Sequence, residues 1–152
     1  MAYATEEARQ ELLDDVGTAA DEISVALAAL GEAYEELDEY AGERVEEQLF
    51  RPAQAAYARA RRTHAEFAAR HGLPARSFAS QAAGVRPHDA KGAIEHATAA
   101  LGEADRVLSE LQDSMRPVEV GDAELRAGLS EVRVLIADLP GAARQLLRTF
   151  GR

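Results

Sequence analysis

The chain has no cysteine and no tryptophan, only four phenylalanines, four tyrosines and two methionines, and a single lysine, Lys91, beside sixteen arginines. Without cysteine there is no disulfide frame, no thiolate metal site and no cysteine nucleophile. β-Branched and aromatic residues are scarce, which argues against strands. No apolar run approaches the ~20 residues that cross a bilayer. The opening "MAYATEEARQ" lacks the cationic and then apolar order of a secretory leader, so the expectation is a soluble, cytoplasmic protein.

Motifs of catalysis are also missing. Ser24, Ser77, Ser80, Ser109, Ser114 and Ser130 lie in no nucleophile-elbow context and at no spacing from a histidine that suggests a pair. Lys91 has no apolar surround to lower its pKa, and no glycine pattern forms a nucleotide loop. The expectation is a protein that is not an enzyme and takes no cofactor.

What is present is helical. Alanine makes up about a fifth of the 152 residues, and leucine, glutamate and arginine are abundant. These residues lose little side-chain freedom in a helix. Apolar residues recur at steps of three and four: Leu13, Val16, Ala20, Ile23, Leu27, Leu30, Tyr34, Leu37 and Ala41 in the first segment. A second series runs Phe50, Ala53, Tyr57, Ala60, His64, Phe67, His71 and stops at Gly72 and Pro74. A third runs from Ile94 to Met115 behind the cap Asp89, and a fourth from Leu125 behind Asp122, with Pro140-Gly141 set to kink or split it.

The pattern predicts one all-α domain over 1–152, an antiparallel up-down four-helix bundle with helices near 5–41, 43–71, 89–116 and 122–150, the last kinked near 140. Gly42 and Pro52 both qualify as the first turn, and matching helix lengths favour Gly42. The connection 73–88 is long for a bundle and is read either as mobile or as holding a short helix near 75–83. Alanines on the seams imply a thin core, which favours burial against a second copy and hence a homodimer.

Charge divides the chain. Residues 1–50 carry fifteen acids and two bases, a net of −13, whereas 51–91 carry eight bases and two acids, a net of +6. The overall −10 disfavours nucleic acid and anionic membrane as partners. The arginines of "YARARRTHAEFAARHGLPARSF" (57–78) are therefore expected to balance the first helix within the molecule. With the turn at Gly42, Arg61 and Arg62 fall opposite Asp21 and Glu22, and Arg70 opposite Asp14 and Asp15. With the turn at Pro52, Arg59 meets Glu43 and Arg70 meets Glu32.

Two surfaces remain as candidate sites. Glu35, Glu39, Glu43 and Glu47 step by four and form an acidic ridge for a basic protein partner or a second protomer. Alternatively Arg70, Arg76, Arg86, His88 and Lys91, in the basic connection 70–91, hold a phosphorylated or acidic ligand near a helix N-terminus. A metal is not expected. His64 and His71 stand ~10 Å apart along one helix, and no histidine has an acid three residues before it.

Overall fold

The structure, a computed structural model, describes residues 2–80 and 89–150, with no strand among them. The first helix, α1 (Ala2–Glu35), is followed by α2 (Glu39–Val45), a π-helical turn (Glu46–Phe50) and α3 (Arg51–His71). Then come α4 (Ala90–Asp113), the single turn α5 (Arg116–Glu119), α6 (Ala123–Ala137) and α7 (Leu139–Phe150).

The first turn falls neither at Gly42 nor at Pro52. It lies between Glu35 and Glu39, where the Asp38 carboxylate accepts the Ala41 N–H at 2.8 Å and starts α2. Gly42 is buried inside α2 because a side chain there would meet the Tyr34 ring at 3.1 Å. The glycine answers a neighbour's bulk, not a turn. Pro52 lies just inside α3, where its missing N–H leaves one carbonyl of the preceding turn unpaired. The backbone widens there, and the Arg51 N–H reaches back five residues to the Glu46 carbonyl.

Local chemistry sets the other ends. Gly72, at φ 64°, closes α3, and the Leu73 N–H bonds the Ala68 carbonyl at 2.9 Å. Residues 73–80 are not helical, so the short helix read near 75–83 is absent from its described part; 81–83 lie outside the described residues. Asp89 and Asp122 cap α4 and α6 through the Gly92 and Leu125 N–H groups. α4 stops at Asp113, ahead of Pro117, because Met115 takes the left-handed conformation at φ 68°. The last segment divides at Asp138, two residues before Pro140.

In the core, α1 packs along both α4 and α3, α3 packs on α6, and α4 on α7 and α6. Serving two neighbours widens the buried stripe of α1 to Leu12, Leu13, Val16, Ala19, Ala20, Ile23, Ala26, Ala29, Leu30 and Ala33. Leu27 and Tyr34, assigned to the seam from periodicity, are only partly buried and 51% exposed respectively. The contact between α3 and α6 is closest at Gly128, where an added Cβ would lie 2.3 Å from the Thr63 Oγ1. Ala56, Ala60 and Thr63 are all buried on that helix.

Candidate functional site

The break at Asp38 and the π turn together build a pocket. Leu30, Gly31, Tyr34 and Glu35 from the end of α1 face Val45, Glu46 and Phe50 across it, around a volume of about 350 Å³. Its walls are mainly apolar, and two of its residues are carboxylates. Gly31 opens the mouth, since a Cβ built there meets nothing within 4 Å. Tyr40, 65% exposed, stands beyond the break. Arg44 donates to the Tyr40 hydroxyl at 3.3 Å, and Arg51 makes a long, exposed ion pair with Glu46 at 4.0 Å.

Glu35, Glu39, Glu43 and Glu47 are all exposed, yet they do not form one ladder. Glu35 ends α1, Glu39 and Glu43 belong to α2, and Glu47 sits in the π turn. Two breaks in the helix intervene, so equal spacing in sequence does not give equal spacing on one face. Among the described residues none of the four makes an ion pair. They surround the pocket's end of the molecule as unanswered charge.

The basic candidates behave in the opposite way. Arg70 grips Asp122 with two hydrogen bonds, at 2.7 and 2.8 Å, and the His71 Nε2 contacts the same carboxylate at 2.9 Å. Burial alone would push Asp122 up, but the bonds from Arg70, the Leu125 N–H and His71 hold it well below the usual carboxylate range. Arg76 donates to both oxygens of Asp21 at 2.7 Å. Lys91 lies apart from them, beside Leu37, Leu147 and Phe150, with Glu95 at 3.9 Å. Arg86 and His88 lie outside the described residues. Arg70, Arg76 and Lys91 are therefore not gathered into one anion site, and the first two already hold carboxylates.

The arginines of the second segment do find acids, but mostly not those of the first helix. Arg59 pairs with Glu131 and Arg70 with Asp122, both contributed by α6 and its cap. Arg61 lies over the Tyr57 ring at 4.9 Å. Arg61 and Arg62 are exposed and make no ion pair among the described residues, so the expected pairing with Asp21 and Glu22 does not form. Arg76 is the arginine of this segment that does bind the first helix, through Asp21. The reason is that α3 has two neighbours, α1 and α6, and Arg59 and Arg70 lie with Thr63 on the side that packs against α6.

Sequence reasoning missed the pocket walls Leu30, Val45 and Phe50, and a second arrangement around His64. That histidine is 2% exposed, and its Nδ1 has no hydrogen-bond partner. The Phe78 ring meets it edge-on at 5.0 Å, and the Arg76 guanidinium covers Phe78 at 4.3 Å. The signal available for the pocket was Asp38 followed by helix-forming residues, a cap motif inside what reads as continuous helix. Among the described residues no group of three or more His, Asp or Glu side chains is placed to hold a metal, and no helix is long and apolar enough to cross a membrane. No protein-family model, curated protein or solved structure matches the chain.

Proposed function

We propose that the chain is a non-enzymatic protein-interaction module of the cytoplasm, built as an antiparallel four-rod bundle, with its working surface at the break between α1 and α2. The rods are α1, α2–α3, α4 and α6–α7. Contacts across them run in opposite senses, Arg59 with Glu131 and Arg70 with Asp122 on one side, Arg116 with Asp15 on another. The observation that supports the function is the pocket of about 350 Å³, apolar on its walls, with Glu35 on its lining and Glu39, Glu43 and Glu47 on the elements that follow, none of the four in an ion pair among the described residues. Its occupant is a basic amphipathic segment of a protein partner: an apolar side chain fills the cavity while lysines or arginines meet Glu35, Glu39, Glu43 and Glu46.

A synthetic amphipathic helix of leucine and lysine is the probe, with affinity read by fluorescence anisotropy. Wild type binds it, and binding weakens with added salt. Glu35→Lys, Glu39→Lys and Glu43→Lys together lower affinity at least tenfold. Gly31→Leu, which plugs the mouth where the backbone leaves open space, abolishes binding and leaves the fold intact. Unchanged affinity in Gly31→Leu reduces the attraction to diffuse charge and overturns the reading.

Self-association as a homodimer uses a different surface. Met115, Val118 and Val134 are 50%, 56% and 75% exposed, all apolar and all in or beside α5 and α6. Sedimentation velocity over a dilution series tests the dimer, and Val134→Glu is expected to shift it to monomer.

A further inference from the structure

We propose that residues 73–80 form a pH-released strap, closed over the groove between α1 and α3 while His64 is neutral and lifted when His64 takes a proton. The segment is held at several points. Leu73 is buried under the end of α3, and Phe78 packs on the core against the His64 ring. Arg76 stacks on Phe78 and spans both oxygens of Asp21 on α1. Gly17 makes room for that arm, because a Cβ there would stand 2.6 Å from the Arg76 Nη1.

His64 lies beneath this lattice as its one titratable buried group. Its Nδ1 is enclosed and has no acceptor within reach, so a proton added there is a donor without a partner. The charged groups facing it are Arg76 from the strap and Asp14 and Asp21 from α1. Burial comes first, and Arg76 second, in holding its pKa below the ordinary 6.5; the two aspartates oppose them weakly. Asp21 is already engaged by the guanidinium. An imidazolium in this place therefore repels Arg76, competes for Asp21 and draws water, and each effect is relieved when the strap lifts.

The sign follows from linkage. A histidine depressed in the closed state and ordinary in the open state favours closure fully above about 6.5, and that preference is lost as pH falls below it. For each pH unit separating the two states' pKa values, the strap equilibrium moves about tenfold.

The test is NMR of the full chain from pH 8 to pH 5.5, following the His64 ring together with the amides of 75–80. In wild type one transition, with its midpoint below 6.5, moves ring and strap amides together, and the ratio of closed to open strap falls by about tenfold for each pH unit by which the closed-state value lies below 6.5. Arg76→Gln raises the midpoint. Phe78→Ala, which changes a surface segment and spares the helices, leaves the strap open throughout and returns His64 to near 6.5. In His64→Phe the strap amides show no transition. Strap amides that titrate unchanged in His64→Phe assign release to the carboxylates and overturn the proposal. A His64 ring that titrates while the strap amides stay still also overturns it. Phe78→Ala decides the matter alone should His64→Phe not fold, because a His64 midpoint unmoved by loss of the ring sinks the coupling.

Discussion

Asp122 and Glu39 are both acidic residues at the start of a helix, and their surroundings could hardly differ more. Asp122 caps α6, takes both arms of Arg70 and touches His71, so its oxygens are fully engaged. Glu39, one residue inside α2, is exposed and meets no cation, and Glu35, Glu43 and Glu47 share its condition. The α3–α6 end uses its charges to fix which helix lies beside which. The α1–α2 end leaves its charges to solvent beside an open apolar pocket. A carboxylate whose partners lie within the molecule is structural; the set without partners beside the cavity is what the proposed interaction rests on.

The contrast can be pressed hardest at the close contact between α3 and α6. Gly128→Ala forces a methyl into the space of Thr63 and should cost about 1–3 kcal/mol in urea unfolding. Adding Thr63→Ala should recover a large part of that loss, which separates steric conflict from helix propensity. A Gly128→Ala protein as stable as wild type would mean that the two helices stand farther apart.

Removal of the hub comes next. Asp122→Ala deletes a cap and the anchor of Arg70, with an expected loss of about 1–2 kcal/mol at neutral pH. Because the folded state holds this carboxyl below its ordinary 3.8, its contribution is present above that pH and is lost as pH falls through the lowered folded value. The gap between wild type and Asp122→Ala should therefore stay constant from pH 7 to about 4 and close at lower pH. A gap that does not change with acid would show that the cap, without its charge, is the whole effect.

The smallest effect is expected at the open end. Glu35→Gln, Glu39→Gln and Glu43→Gln together should alter stability by less than about 0.5 kcal/mol, because no intramolecular partner is lost. A marked destabilisation would place these carboxylates in the same class as Asp122.

The helix ends at Gly72, Asp89 and Asp122 were legible because capping is local: a glycine able to take positive φ, or an aspartate two or three residues ahead of free N–H groups, carries its reason with it. Gly42 was not legible, since its cause is the ring of Tyr34, a contact made only after α2 folds back. Periodicity found Leu13, Val16, Ala20, Ile23 and Leu30 of the α1 seam but added Leu27 and Tyr34 and left out Ala26, Ala29 and Ala33. A repeat near 3.5 drifts against a 3.6-residue helix, and the second neighbour draws in Ala26, Ala29 and Ala33. The arginine partners failed for a related reason, as a hairpin argument supplies one neighbour where α3 has two. Of the site, the sequence showed the charges and hid the cavity, whose walls meet only after the chain has broken at Asp38 and widened at Glu46–Phe50.

That widened turn also governs direction. One additional residue in a helical turn rotates everything downstream by about 100° about the axis. The side chains of α2 and those of α3 thus point along different bearings although the helical chain runs on without a loop between them. Excision of a single residue from Glu46–Phe50 would reset the phase, so that either Gly42 lost its fit to Tyr34 or Thr63 lost its fit to Gly128. The irregular turn works as an angular gearing between the end of the molecule whose charges stand free and the end whose charges are paired.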